Sequence, residues 1–207
     1  MIKKINRSKC FKLYPKLAHS EVNNIAEDKN FFSPVPFATF AVTCKVQNFE
    51  EHVSVIAHAG TVLAKGFGYE HLLFVPNDDV PWIQYTGGSE ILLEAMNFLI
   101  KNNVDQGFDG GLEVSTKILP VFLKHTMNMV YYHNDIPTIN FTDEQQNFMC
   151  SVCGNGNVHV DILNPSVYEL ALDAIAKTKL EIIENDQCKS IYTSTLISKN
   201  KRKINVE

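Results

Sequence analysis

Residues 37–46, FATFAVTCKV, put Ala38, Phe40, Val42, Cys44 and Val46 on one side and Thr39, Thr43 and Lys45 on the other. A period of two is that of a strand with one face on a core and one toward water. A chain with such a strand must supply partner strands and an apolar layer to cover them. The 207 residues, 45% of them hydrophobic, suffice for one well-filled core and are short for two. A single domain is therefore expected over 1–207.

Val53, Val55 and Ala57 repeat the alternation, so NFEE before them reads as a hairpin loop. TVLAK and HLLFV read as two further strands around the turn GFG at 66–68. ILLEAMNFLI instead places Ile91, Leu92, Ala95, Met96 and Leu99 on one helical face. GGLEVSTKI alternates again from about 111, and Pro120 suits the first turn of a helix through VFLKH. MNMVYYH reads as the next strand. FTDEQQNFMCSVCG reads as a helix, with Thr142 and Gln145 in a capping-box pattern and Gly154 as its stop. VHVDIL is a strand, Asn164 and Pro165 open a helix to about Glu184, and SIYTSTLIS is a final strand. Near the start, Ser20 caps a short helix carrying Val22, Ile25 and Ala26. The expected class is α+β, with a mixed, largely antiparallel central sheet flanked by helices.

The net charge of −4 is unevenly spread. Residues 1–16 hold six lysines and arginines and no acid, and 199–207 hold four with one acid. That leaves 9 basic and 22 acidic side chains in 17–198, a net of −13. Such a body repels a polyanion, which argues against nucleic acid as the main ligand. The two basic ends read as solvated segments, the C-terminal one flexible. Arginine occurs only at Arg7 and Arg202. An anion bound by the body would therefore rely on backbone N–H groups, lysine or metal.

No apolar run is long enough for a membrane span, and MIKKINRSKCFKLYPK has no apolar signal core. Five scattered cysteines make no disulfide framework, so a reducing, cytoplasmic setting is expected. Cys150 and Cys153 stand at CxxC spacing, without a second such pair or paired histidines at finger spacing. Placed near a helix C-terminus, where the dipole raises thiol pKa, they read as packing residues. His159 and Asp161 would point away from them along one strand face, so no metal is expected. His58, His133 and Asp135 lack the local setting of a nucleophile's partners: the chain has no GxSxG elbow, P-loop or GxGxxG.

One turn stands out. WIQYTGGSE, residues 82–90, lies between a strand and a helix and carries two glycines and a serine. Glycines permit close backbone approach, and free N–H groups at a helix start bind anions. A tight turn with a cap would use the same residues. Gln84-Tyr-Thr-Gly87-Gly88-Ser89 resembles the Q/R-x-x-G-x-G/A signature of the GNAT superfamily of N-acyltransferases, with Ser89 where that family has Gly or Ala. The resemblance extends over about 37–135.

It implies a GNAT-like fold and transfer of an acyl group from acyl-coenzyme A, or another acyl thioester, to a small-molecule or protein amine. Gln84, Gly87, Gly88 and Ser89 would hold the pyrophosphate, and backbone groups of Phe74 and Val75 would pair with the pantetheine arm. Glu70 would be the general base, with His71 as substitute. The family's frequent tyrosine acid is replaced by Phe122, which leaves thiolate protonation to water, Tyr131 or Tyr132. Glu70 reads equally as a solvent-facing acid at a strand end. The alternative function is a non-catalytic acidic binding protein, an inhibitor or immunity-type partner of a basic protein.

Overall fold

The structure is a computed structural model that describes residues 1–17, 19–22, 29–32, 34–83, 89–132 and 138–189. The alternating stretch forms β4 (Ala38–Thr43), as its period requires. It belongs to an eight-stranded sheet whose other strands are β1 (Ile2–Ile5), β5 (His71–Pro76), β6 (Gly111–Ser115), β7 (Ile139–Thr142), β8 (Phe148–Val152), β9 (Val158–Ile162) and β10 (Glu181–Ile183). The spatial order is β1-β6-β5-β7-β8-β9-β4-β10, and every pairing is antiparallel. A separate antiparallel pair joins β2 (His19–Val22) and β3 (Lys29–Phe32).

One face of the sheet carries the main core. It is covered by α2 (Phe49–Gly66), α3 (Glu90–Lys101), α4 (Leu119–Tyr132) and α5 (Tyr168–Ala176). Phe122 of α4 is fully buried there, 4.7 Å from Phe74 and 5.9 Å from Trp82 between ring centres. Truncating such a residue to alanine costs about 3–5 kcal/mol. The opposite face is covered by α1 (Arg7–Leu13) and the residues after it, where Cys10, Tyr14 and Leu17 pack on Leu73, Val75 and Met149. Strand alternation explains the division: Leu72 and Phe74 serve one core, Leu73 and Val75 the other.

The α+β class and antiparallel sheet agree with the expectation, although no parallel pair occurs among the described residues. Several elements differ from it. Residues 53–65 are helical, because Asn48 caps α2 by accepting the N–H of Glu51, and the Glu51 carboxylate accepts the N–H of Gln47 in return. Val53, Ile56, Ala57 and Ala64 then share a buried face at helical spacing, which the alternation of Val53, Val55 and Ala57 disguised. MNMVYYH continues α4 instead of starting a strand, with Met127, Met129 and Val130 buried.

The expected helix over 142–154 is the β7–β8 hairpin. Its loop is held by Asp143, whose carboxylate accepts the backbone N–H and the side-chain amide of Asn147, each at 2.7 Å, while Gln146 adopts φ 53°. Thr142 accordingly does not cap a helix; its hydroxyl donates to the carbonyl of Phe148. Asn164 does cap, accepting from Ser166 N–H, but the segment closes at Ala176 and returns as β10. Ser20 and Val22 lie in β2 rather than a helix, and Ile25 and Ala26 lie outside the described residues. SIYTSTLIS and the tail at 199–207 lie outside the described residues.

The basic N-terminal segment is not a solvated tail. Its β1 pairs with β6, Lys3 reaches Glu113, Lys4 reaches Asp105, and the Arg7 guanidinium pairs with Asp79 at 2.6 Å. Arg7 also donates to the carbonyls of Pro76, Asn77 and Asp109 at 3.1–3.2 Å, fastening the loop that follows β5.

Candidate functional site

Two of the residues singled out in the sequence, Glu70 and His71, stand at the start of β5. Glu70 stands at its head and His71 is its first residue; both are exposed. They line a groove of about 340 Å³ with Lys3, Tyr14, Glu113 and Glu144. The local fold places each one. Glu113 lies opposite Leu73 on β6, Lys3 lies opposite Glu113 on β1, and Glu144 projects from the β7–β8 loop. The Lys3 ammonium is 3.2 Å from Glu113, and Glu70 and Glu144 line the same groove. Tyr14, on the floor, senses that field: burial raises the pKa of its phenol, and Glu113 and Glu144 raise it further.

Tyr69 forms the wall at the end of the groove. Its pKa is pushed up to about 12, chiefly by burial and then by the Asp143 carboxylate. Tyr69 and Leu72 also border a second space, an apolar cavity of about 110 Å³ on the other face of the sheet. That cavity lies under α2 and α5, between residues such as Gly60, Phe67, Leu123, Phe141, Val160 and Ile175. Groove and cavity are thus separated by the sheet, the Leu73 side facing the first and the Leu72 side the second.

The other expected site residues are not brought to this groove as the resemblance implied. Phe74 is paired on both sides, with Leu112 and with Phe141, and Val75 is paired with Asn140. Both side chains are fully buried. A thioester arm laid along this strand at Phe74 would displace a ladder already formed. Ser89 is the N-cap of α3, and its carbonyl accepts the N–H of Leu93, but its side chain makes no capping hydrogen bond. Gln84, Gly87 and Gly88 lie outside the described residues, as do His133 and Asp135. Asp79, close in sequence to the turn, is neutralised by Arg7. Phe122 is core, and Tyr131 stacks on Phe49 at 3.6 Å between ring centres.

Two further clusters of cysteine and histidine side chains appear. Cys44 and His52 form a fully buried pair, the thiol 3.2 Å from Nδ1 while Nε2 is 2.8 Å from the carbonyl of Gly156. Burial raises the Cys44 thiol to about 11 and lowers the imidazole, so the pair remains neutral and structural. The cysteines at CxxC spacing are separated by β8: Cys150 points into the main core and Cys153 leaves toward the opposite face. There Cys153 meets His159 and Cys188. The helix expected over 142–154 concealed this meeting, since only a hairpin returns His159 beside Cys153.

No protein-family model, curated protein or solved structure matches the chain. Among the described residues no helix is long and apolar enough to cross a membrane.

Proposed function

We propose that this protein is a binding protein for a basic partner, and that the groove at the head of β5 receives an ammonium group of that partner. The observation that carries this reading is the convergence of Glu70, Glu113 and Glu144 with a single lysine among them. The acidic body extends the same sign of charge beyond the groove and speeds encounter with a cationic surface. The exposed carboxylates of Glu70 and Glu144 also reach a lysine side chain without the large desolvation cost of burial.

The acyltransferase reading is the second one, and the apolar cavity favours it. A space lined almost wholly by apolar groups suits a short acyl chain. In that reaction an amine attacks the thioester carbonyl, Glu70 takes the amine proton, and the coenzyme thiolate leaves. The sheet between groove and cavity is the obstacle, because amine and carbonyl must meet.

Thermal unfolding separates the two. A ligand held at about a hundred times its Kd stabilises by about 2.7 kcal/mol. For a chain of this size each kcal/mol moves Tm by about 2–4 °C, so the shift is roughly 5–10 °C. The expected result is such a shift with an oligolysine peptide and none with acetyl-, octanoyl- or palmitoyl-coenzyme A. A shift with one thioester, accompanied by thiol release in the presence of an amine, would replace the first reading by the second.

A further inference from the structure

The β8–β9 turn, CGNGN, closes with the N–H of Cys153 donating to the carbonyl of Asn157 and that of Gly156 to Cys153. It carries Cys153 and its own asparagines to the face on which His159 lies. After β10 the chain passes beneath that turn and delivers Cys188. The two sulfurs are 3.6 Å apart, and one ligand atom from each of Cys153, His159 and Cys188 lies within 4.8 Å of the others. Two thiolates bound tetrahedrally at about 2.3 Å from zinc stand about 3.8 Å apart. A disulfide requires about 2 Å. The spacing fits the first arrangement.

The surroundings fit it as well. His159 Nδ1 is 3.0 Å from the side-chain oxygen of Asn185, whose own amide nitrogen donates to Thr39 at 2.6 Å. With the amide fixed in that sense, Nδ1 is the ring's N–H donor and Nε2 keeps its lone pair for a metal. The amide groups of Asn157 and Asn155 point at the Cys188 sulfur from 3.2 and 3.5 Å. N–H groups directed at sulfur are the outer contacts that orient and hold a ligating cysteine. All three side chains are half-buried, which leaves an approach from solvent.

We infer that Cys153, His159 and Cys188 form a zinc site, with the fourth tetrahedral position open to a solvent molecule. Two thiolates and an imidazole are the soft and borderline donors that select zinc over magnesium or calcium. The ion fastens the segment after β10 to the β8–β9 turn, and so secures the edge of the sheet. This inference is independent of the groove and of what binds there.

The test is cobalt and zinc titration of the full chain under reducing conditions. One Co²⁺ per chain is expected, with the visible bands of tetrahedral cobalt and thiolate-to-metal charge transfer, displaced by one Zn²⁺. C153S and C188S should each lower zinc affinity by at least about a hundredfold, more than the roughly tenfold expected for N185A, whose amide only orients the ring. C10S and C150S should leave the cobalt spectrum unchanged, and circular dichroism checks that every variant is folded. An octahedral spectrum, affinity unchanged in folded C188S, or a Cys153–Cys188 disulfide that forms in reduced protein would overturn the inference.

Discussion

Replacing Gly156 by alanine should destabilise the protein, and its cost can be resolved into two parts. Gly156 has φ +81°, a left-handed conformation that costs an L-residue about 1–2 kcal/mol. An added Cβ would also stand 2.4 Å from Cε2 of Phe49. Phe49 cannot easily withdraw: it is buried, stacked on Tyr131 at 3.6 Å and edge-on to Tyr132 at 5.5 Å between ring centres. Such overpacking adds about 1–3 kcal/mol. Two other glycines separate the contributions. Gly68 has φ +76° with open space around it, so G68A carries the conformational cost alone. Gly154 has open space and no left-handed φ, so G154A should be neutral. At about 2–4 °C per kcal/mol, melting followed by circular dichroism should show no loss for G154A, about 4 °C for G68A and about 10 °C for G156A. If G156A melts with G68A, the contact with Phe49 costs nothing and the packing argument fails.

Three other outcomes follow from the same structure. Burial lowers the pKa of His52 and of His125 below the usual 6.5, Glu94 opposing and Lys124 reinforcing the effect at His125. The unfolded chain therefore takes up protons more readily, so stability is full above about pH 6.5 and declines as pH falls toward the folded values; a Tm that rises from pH 7 to pH 5 would contradict this. Among the described residues His125 Nδ1 is buried without a hydrogen-bond partner, and its ring lies 4.7 Å from that of Phe98, so H125F should stabilise by about 1 kcal/mol and flatten the acid side of the profile. Gly60 lies in α2 beside the apolar cavity, and a Cβ there would meet Leu123 Cδ1 at 3.3 Å. The cavity gives Leu123 room to yield, so G60A should gain most of the roughly 1 kcal/mol of helix propensity; a lowered urea midpoint would show that the cavity is not free to adjust.

The sequence could be read where one period stood alone. FATFAVTCKV and VHVDIL admit only a strand, and ILLEAMNFLI only a helix, and all three are so placed. Reading failed where two periods overlapped. Val53, Val55 and Ala57 alternate, yet Val53, Ile56 and Ala57 also share a helical face, and the Asn48–Glu51 cap decides between them. In FTDEQQNFMC, Thr142 and Gln145 mimic a helix start, whereas a buried Asp143 organises a tight loop. The site followed the same rule. Glu70 and His71 were legible as polar residues at a strand head, but Glu113, Glu144 and Lys3 join them only through pairings distant in sequence. Likewise Cys188 lies 35 residues from Cys153, so no motif spacing could announce that cluster.

Affinity for a fluorescent oligolysine peptide, measured for the native protein and for E70Q/E113Q/E144Q at low and at high salt, tests the proposed function most directly. The account predicts binding at low salt that weakens steeply as salt screens the carboxylates, and a loss of at least about tenfold in the folded triple variant. Equal affinity of the two proteins at low salt would contradict it, since the partner would then be held somewhere other than the groove at the head of β5.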